Sequence, residues 1–454
     1  MFLTILLGLV GLGIIIFIHE TGHFIAAKVN GIEVETFSLG FGKELVGFDY
    51  LKTHYQISLI PFGGYCKMKG DELLKNAVEM DLKDIPKEKG SFFSVHPFRR
   101  IIVALSGPLA NLLFALFVLT IIWWVGFNIY SSPPKIILAS DYQLDNLGAN
   151  APATLAGLKT GDIVTDINGK AVRNFQDILE IVSSSPGKKL VFSVKRGSGI
   201  EKVTVVPELD KESGAGRIGI YSWVEPVVER VVEGKSAYLA GIRSGDIIIS
   251  IDGKNVRNTL DIFQELKDKP EQISLTLLRG TKRLTLPVVL QYDENGFPDL
   301  GIQFRQQVYR VGGEGFYNGI VRGIKETGKT IGMTFRGIGL LFKGIDVHKT
   351  VAGPLRITYY LGTITKNSFQ IGFGTGIVSF LRLLGLLSIV LFIMNLIPLP
   401  ALDGGQIVLF SVEWIAGTPP NPKLIYRIQV FGFSIIILLA VMITFSDILF
   451  FFGK

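Results

Sequence analysis

Phe2 to His23 reads FLTILLGLVGLGIIIFIHETGH, an apolar run without charge as far as Ile18 that closes on His19-Glu20-Thr21-Gly22-His23. The uncharged part is about as long as the shortest bilayer-spanning helix, and apolar character resumes at Phe24 to Ala27. A secretory signal peptide would need a basic n-region and a small-residue cleavage site, and neither precedes His19. On a helix, the H-E-x-x-H spacing puts both imidazoles on one face, where they can share a zinc ion. Glu20 is turned about 100° from His19, which suits a base acting on water at the metal rather than a further ligand. An ionisable Asp, Lys or Arg at the centre of a membrane helix costs about 2.5–3.5 kcal/mol, so a polar cluster at the end of this span calls for a compensating partner, and a metal is the natural one.

Further apolar runs lie at about 101–127, 376–396 and 430–452, which with 2–27 make four spans. The second follows directly on Arg99 and Arg100, and the third ends before Pro398 and Pro400, where a helix should break. The 454 residues are 48% hydrophobic yet 19% charged, with mean hydropathy +0.41, which suits membrane spans alternating with soluble modules. The formal charge of +7 comes without a basic run interleaved with aromatics, which excludes a nucleic-acid surface and directs the surplus to membrane lipid. Cys66 is the only cysteine, so neither an intrachain disulfide nor a multi-thiolate zinc site can form. Lys28, Arg99, Arg100, Lys423 and Arg427 fall on one side of alternating spans, which makes that side cytoplasmic; Lys454 and Arg382 count against it. The long segment from about 128 to 375 then lies across the membrane, in the periplasm of a bacterium.

Zinc in a catalytic site takes three protein ligands and an open position. His54, His96 and His348 sit in segments that need not reach the first span. Asp403 follows the third span in Asn395-Leu396-Ile397-Pro398-Leu399-Pro400-Ala401-Leu402-Asp403-Gly404-Gly405; taken alone, it reads equally as an Asp-Gly turn at a membrane exit. Spans one and three run in the same direction, so their C-terminal ends share one side of the membrane. His19, His23 and Asp403 all lie at those ends.

Between the second and third spans a module is duplicated: Ala156, Gly157, Gly161, Asp162, Ile163, Ile167, Gly169, Lys170, Val172, Arg173, Asn174, Asp177 and Ile178 each recur 84 residues later. The pattern predicts strand, tight turn, strand and helix. It resembles the PDZ domain in its circularly permuted form, with copies over 131–222 and 223–305. PDZ grooves add an extended peptide to a sheet edge, which makes Gly219, Ile220, Gly301 and Ile302 candidate groove residues for peptide ligands; alternatively, the pair acts as a steric filter. In 306–375, Ile320, Ile324, Thr327, Ile331, Phe335, Ile338 and Phe342 recur every three or four residues, with Arg322, Lys325, Lys329, Arg336 and Lys343 on other faces. This predicts a basic amphipathic helix lying on the membrane surface or packed on the modules.

The H-E-x-x-H of the first span, Ser106-Gly107-Pro108-Leu109-Ala110-Asn111 of the second and N-x-x-P-x-P-x-L-D-G after the third resemble the site-2 protease family of intramembrane metalloproteases. The resemblance covers essentially the whole chain. It implies a multi-domain membrane protein, with a four-span α-helical core split over 1–127 and 376–454 and tandem α+β PDZ domains in the periplasm. It implies Zn2+ held by His19, His23 and Asp403, Glu20 as general base and acid, and Asn395 holding unwound substrate, with Pro398, Gly42 and Gly63 as further substrate contacts. The implied substrates are single-pass membrane proteins of the anti-sigma-factor type and leftover signal peptides, at a bacterial inner membrane with the active site toward the cytoplasm. Within 34–70, glycine-bounded strands such as Phe37 to Gly42 and Tyr55 to Gly64 offer an edge that could pair with an extended substrate; a plain cytoplasmic hairpin is the other reading. A non-catalytic PDZ receptor or scaffold is the alternative function, and a proton-coupled transporter a third. Four spans without an evident inverted repeat disfavour the transporter.

Overall fold

The computed structural model describes residues 1–142, 150–211, 213–293, 296–341 and 352–452. Two compact units are formed, one from Met1–Phe127 with Arg310–Lys454 and the other from Asn128–Tyr309.

The first unit holds four helices long and apolar enough to cross a membrane: Phe2–Val29, Pro97–Val125, Phe373–Asn395 and Pro422–Phe452. At 1.5 Å per residue, each matches or exceeds a hydrocarbon core of about 30 Å. Lipid gives helices no hydrophobic reason to associate, so close approach depends on small residues and polar pairs. Both occur. The first span meets the second where a side chain on Gly22 would collide with the Ser106 carbonyl, and it meets the helix Pro354–Ile371 where side chains on Gly8 and Gly362 would strike the backbones of Thr358 and Thr4. The fourth span supplies buried Asp447, whose carboxylate accepts from the backbone N–H groups of Gly353, Leu355 and Arg356 at 3.0–3.1 Å and from the Arg356 side chain. That carboxylate caps the helix Pro354–Ile371 from another element.

The amphipathic segment forms the helix Phe316–Leu341. It lies along the second span. Gly319, Gly323 and Thr327 recur at helical spacing; the two glycines approach Trp124 and Thr120 closely, and Thr327 is buried. Glu326 accepts hydrogen bonds from the Trp123 indole and, at 2.7 Å, from Arg382 of the third span, so its charge is satisfied inside the bundle. Periodicity alone could not distinguish this docking face from a lipid-facing one. The expected positions Phe342 and Lys343 lie outside the described residues.

The segment after the first span folds into two long strands, Val34–Tyr50 and Thr53–Met68, rather than short separate ones. They bend back so that Thr36 to Leu39 pairs on one side with His54 to Ile57 and on the other with Gly64 to Lys67, while Glu44 to Tyr50 pairs with Thr53 to Ser58. Left-handed backbone at Gly40 and Gly42 makes the bend, and any side chain on Gly40 would meet the carbonyls of Ser58 and Ile60.

The second unit contains the duplicated module. Residues Ile163–Ile167 and Lys170–Ala171 flank the Asn168-Gly169 turn, and Ile247–Ile251 and Lys254–Asn255 flank Asp252-Gly253. All four turn residues have positive φ, as tight hairpin turns demand. Each copy builds a four-stranded sheet of the same order, completed by Leu190–Arg196 with Gly199–Val205 and by Gln272–Arg279 with Lys282–Val289. The repeated polar residues have structural duties. Asn174 and Asn258 cap the helices Phe175–Ser183 and Thr259–Glu265. Buried Asp162 and Asp246 receive two-pronged hydrogen bonds from Arg196 and Arg279, which also donate to the Gly157 and Gly241 carbonyls. Tyr142 of the first copy donates to Asp261 at 2.6 Å and accepts from Asn258 at 3.0 Å, which ties it to the helix cap of the second.

Candidate metal centre

His19 and His23 lie one turn apart near the end of the first span, and their Nε2 atoms are 3.2 Å from one another. Asp403 comes from beyond the third span, with one carboxylate oxygen 3.3 Å from His19 Nε2 and the other 3.4 Å from His23 Nε2. One donor atom from each of the three residues lies within 4.8 Å of the others. Adjacent ligands of a tetrahedral zinc, each about 2.0–2.1 Å from the ion, are separated by roughly 3.3 Å, so the spacing of these donors fits that ion. His23 donates its Nδ1–H to the Val103 carbonyl at 2.8 Å, which leaves the Nε2 lone pair facing the other two donors.

Local sequence explains how Asp403 arrives. The third span ends at Asn395, the chain turns irregularly through Pro398 and Pro400, and a new helix, Asp403–Ala416, starts on the aspartate itself. Its carboxylate therefore sits in a first helical turn, where negative charge is favoured. Gly404 and Gly405 allow this fold-back, because a side chain on either would collide with the carbonyls of Leu396 and Ile397 or of Leu399. Asp-Gly here opens a helix rather than a turn. The helix Asp403–Ala416 is anchored by the buried pair of Arg100 and Glu413, with the guanidinium also over the Phe410 ring.

Asn395 reaches the same place, with Nδ2 3.4 Å from His19 Nε2. Glu20 is buried on the neighbouring face of the first span, and the outer strand passes beside it: a side chain on Gly64 would lie 3.1 Å from Glu20 Cγ. Among the described pairings, Gly64 to Lys67 is paired on one side only. Gly64, in the quoted strand but not among the expected contacts, is thus nearer the centre than its candidate neighbours. Gly63 packs against the Phe41 ring, Gly42 lies at the bend near the Ile60 side chain, and Pro398 lies in the irregular turn between the third span and the helix Asp403–Ala416. Sequence reasoning also left Asn111 and Gly107 without a role. Asn111 is buried with its amide 3.3 Å from His19 Nδ1, and Gly107 faces the His23 ring so closely that a side chain there would overlap it.

Two of the remaining histidines are engaged elsewhere. His54 bonds Asp49 at 2.8 Å and Glu44 at 3.0 Å on the hairpin, and these carboxylates, Asp49 foremost, raise its pKa. His96 caps the second span, and His348 lies outside the described residues. In the other unit, Gly301 and Ile302 line a groove of about 280 Å³ beside Ile262 and Leu266. Gly219 and Ile220 pair with Ala139 and Leu138 in the first copy.

Residues 7–439 match the model of peptidase family M50. A "Putative zinc metalloprotease" of Treponema pallidum (strain Nichols) is 35% identical over 451 residues, covering 99% of this chain and all of that protein. The "Regulator of sigma-E protease RseP" of Escherichia coli (strain K12) is 28% identical, covering 97% of each chain. A solved PDZ domain of an SdrC-like protein from Listeria innocua is 24% identical over 18% of this chain and 96% of its own length, with a TM-score of 0.17.

Proposed function

The chain belongs to peptidase family M50, the site-2 proteases, and is a zinc metalloprotease; on that premise we propose that it cleaves single-pass membrane proteins within their membrane-spanning segments. Anti-sigma factors and leftover signal peptides are the proposed substrate class. The observation that carries this reading is the convergence of His19, His23 and Asp403 from two spans, with buried Glu20 beside them.

In this reading His19, His23 and Asp403 hold zinc. When bound, zinc supplies a Lewis acid that makes water nucleophilic near neutral pH and polarises a carbonyl. The Glu20 carboxylate takes a proton from the attacking water and delivers it to the leaving amide nitrogen. Asn395 donates from Nδ2 to the substrate backbone. A helical substrate must first give up its i to i+4 hydrogen bonds, and lipid offers no replacements. The outer strand Gly64 to Lys67 supplies them by pairing with the extended segment, beside Glu20. The centre faces the cytoplasmic side of a bacterial inner membrane. The duplicated modules are periplasmic PDZ domains, whose candidate contacts Gly219, Ile220, Gly301 and Ile302 take peptide or whose bulk filters substrates by size.

The test measures metal content and cleavage of a single-span substrate in liposomes. Wild type should hold one zinc per chain and cleave; Glu20→Gln should hold zinc without cleaving; Asp403→Ala should lose both. An active Glu20→Gln enzyme would remove Glu20 from the chemistry, and a zinc-replete, active Asp403→Ala enzyme would remove the third ligand.

A further inference from the structure

The motif Ser106 to Asn111 on the second span has no part in the proposed chemistry, yet three of its residues press on the metal-facing helix. The Ser106 carbonyl abuts Gly22, Gly107 lies against the His23 imidazole, and Asn111 meets His19 Nδ1. Asn111 is fully buried, its Oδ1 has no partner, and its Nδ2 is the atom 3.3 Å from His19. A nitrogen donor aimed at Nδ1 would require that atom to be unprotonated. The proton of a neutral ring would then sit on Nε2, the atom that faces His23 and Asp403. Rotating the amide by half a turn resolves both problems, because Oδ1 gains a partner and Nδ1 gains an acceptor for its proton.

We infer that Asn111 is a positioning residue for the metal centre, accepting the Nδ1–H of His19 through Oδ1 so that Nε2 presents its lone pair. The inference rests on the zinc reading of His19. It makes the two imidazoles equivalent: each donates Nδ1–H to the second span, His23 to the Val103 carbonyl and His19 to Asn111. The second span thereby sets the tautomer of both rings while contributing no ligand. Gly107 belongs to the same arrangement, since only a residue without a side chain lets the His23 ring lie flush against that helix.

The full chain in detergent would be titrated with zinc against a chromophoric chelator, with thermal unfolding of the metal-free forms measured in parallel. Loss of a partner that orients a ligand typically weakens metal binding 10–100-fold. Asn111→Leu, with the same branched heavy-atom skeleton but without an acceptor, should fall in that range while unfolding like wild type; Asn111→Ala serves in its place if the bulkier leucine variant does not fold. Asn111→Asp, which keeps an acceptor, should bind zinc at least as tightly as wild type. Wild-type affinity in the leucine or alanine variant overturns the inference, as does an aspartate variant as weak as the leucine one, which would point to packing alone. A wild type that binds no zinc would instead overturn the metal reading, and this inference with it.

Discussion

The pair of Asp246 and Arg279 in the second module predicts an asymmetric response to mutation. Asp246 is buried, whereas the Arg279 side chain is 32% exposed and keeps a 2.8 Å bond to the Gly241 carbonyl. Asp246→Ala releases an arginine that can turn to water. Its cost is mainly the charge-assisted bonds, about 1.5–3 kcal/mol after partial screening, because the freed Arg243 N–H belongs to an exposed residue and is open to water. Arg279→Met leaves a buried carboxylate held by the Arg243 backbone N–H without the guanidinium, and breaking a buried pair in this sense costs about 3–5 kcal/mol. Arg279→Met should therefore be the more damaging change. The readout is amide hydrogen exchange of the strands Ile247–Ile251 and Gln272–Arg279 in the full chain. A loss near 3 kcal/mol corresponds to roughly 100-fold faster exchange, since about 1.4 kcal/mol is a factor of ten. Burial pushes the Asp246 pKa up, but the hydrogen bonds from Arg279 and the Arg243 backbone outweigh it, and the carboxyl lies below its ordinary value. A depressed folded-state pKa gives stability that is complete above the unfolded value of about 3.9 and is lost as pH falls through the folded one. Wild-type protection should thus decline below about pH 4, and the Asp246→Ala profile should be flatter there. Equal protection in both variants, or a smaller effect from Arg279→Met, would refute the reasoning.

Asp447→Ala should strip the helix Pro354–Ile371 of its cap and leave Arg356 buried, lowering stability in detergent by about 3–5 kcal/mol, with much of the loss recovered in an Asp447→Leu, Arg356→Met double variant. Thermal unfolding checks this, and a single variant within about 1 kcal/mol of wild type would contradict it. Gly404→Val should force Asp403 away from the imidazoles by driving a side chain into the Leu396 and Ile397 carbonyls, so zinc affinity should fall well beyond any change in unfolding temperature; unchanged affinity would show that the turn can yield.

Several features were legible because their causes are local. A bilayer requires an unbroken apolar run, so the four long helices stand out from residue type alone. The Asn168-Gly169 and Asp252-Gly253 turns follow from the ease with which these residues take positive φ. The helix Asp403–Ala416 was not legible: it is shorter than a span and opens on Asp-Gly-Gly, which locally suggests a turn. Nor were the partners of Asp162 and Asp246, because Arg196 and Arg279 lie 83 residues apart and fall out of the 84-residue register.

By itself, then, the sequence determined what one helix turn or one hairpin can hold: two imidazoles on a common face with Glu20 beside them, and two copies of one module. Tertiary structure alone decided what crosses from one element to another. It closed Asp403 to within 3.3 Å of His19, where span direction had placed the two only on one side of the membrane, laid the helix Phe316–Leu341 along the second span and set Asn111 behind the His19 ring. The physical reason is range. Backbone hydrogen bonding and side-chain periodicity act over a few residues, whereas these contacts depend on how closely small residues let distant helices approach and on which buried polar groups must then satisfy one another.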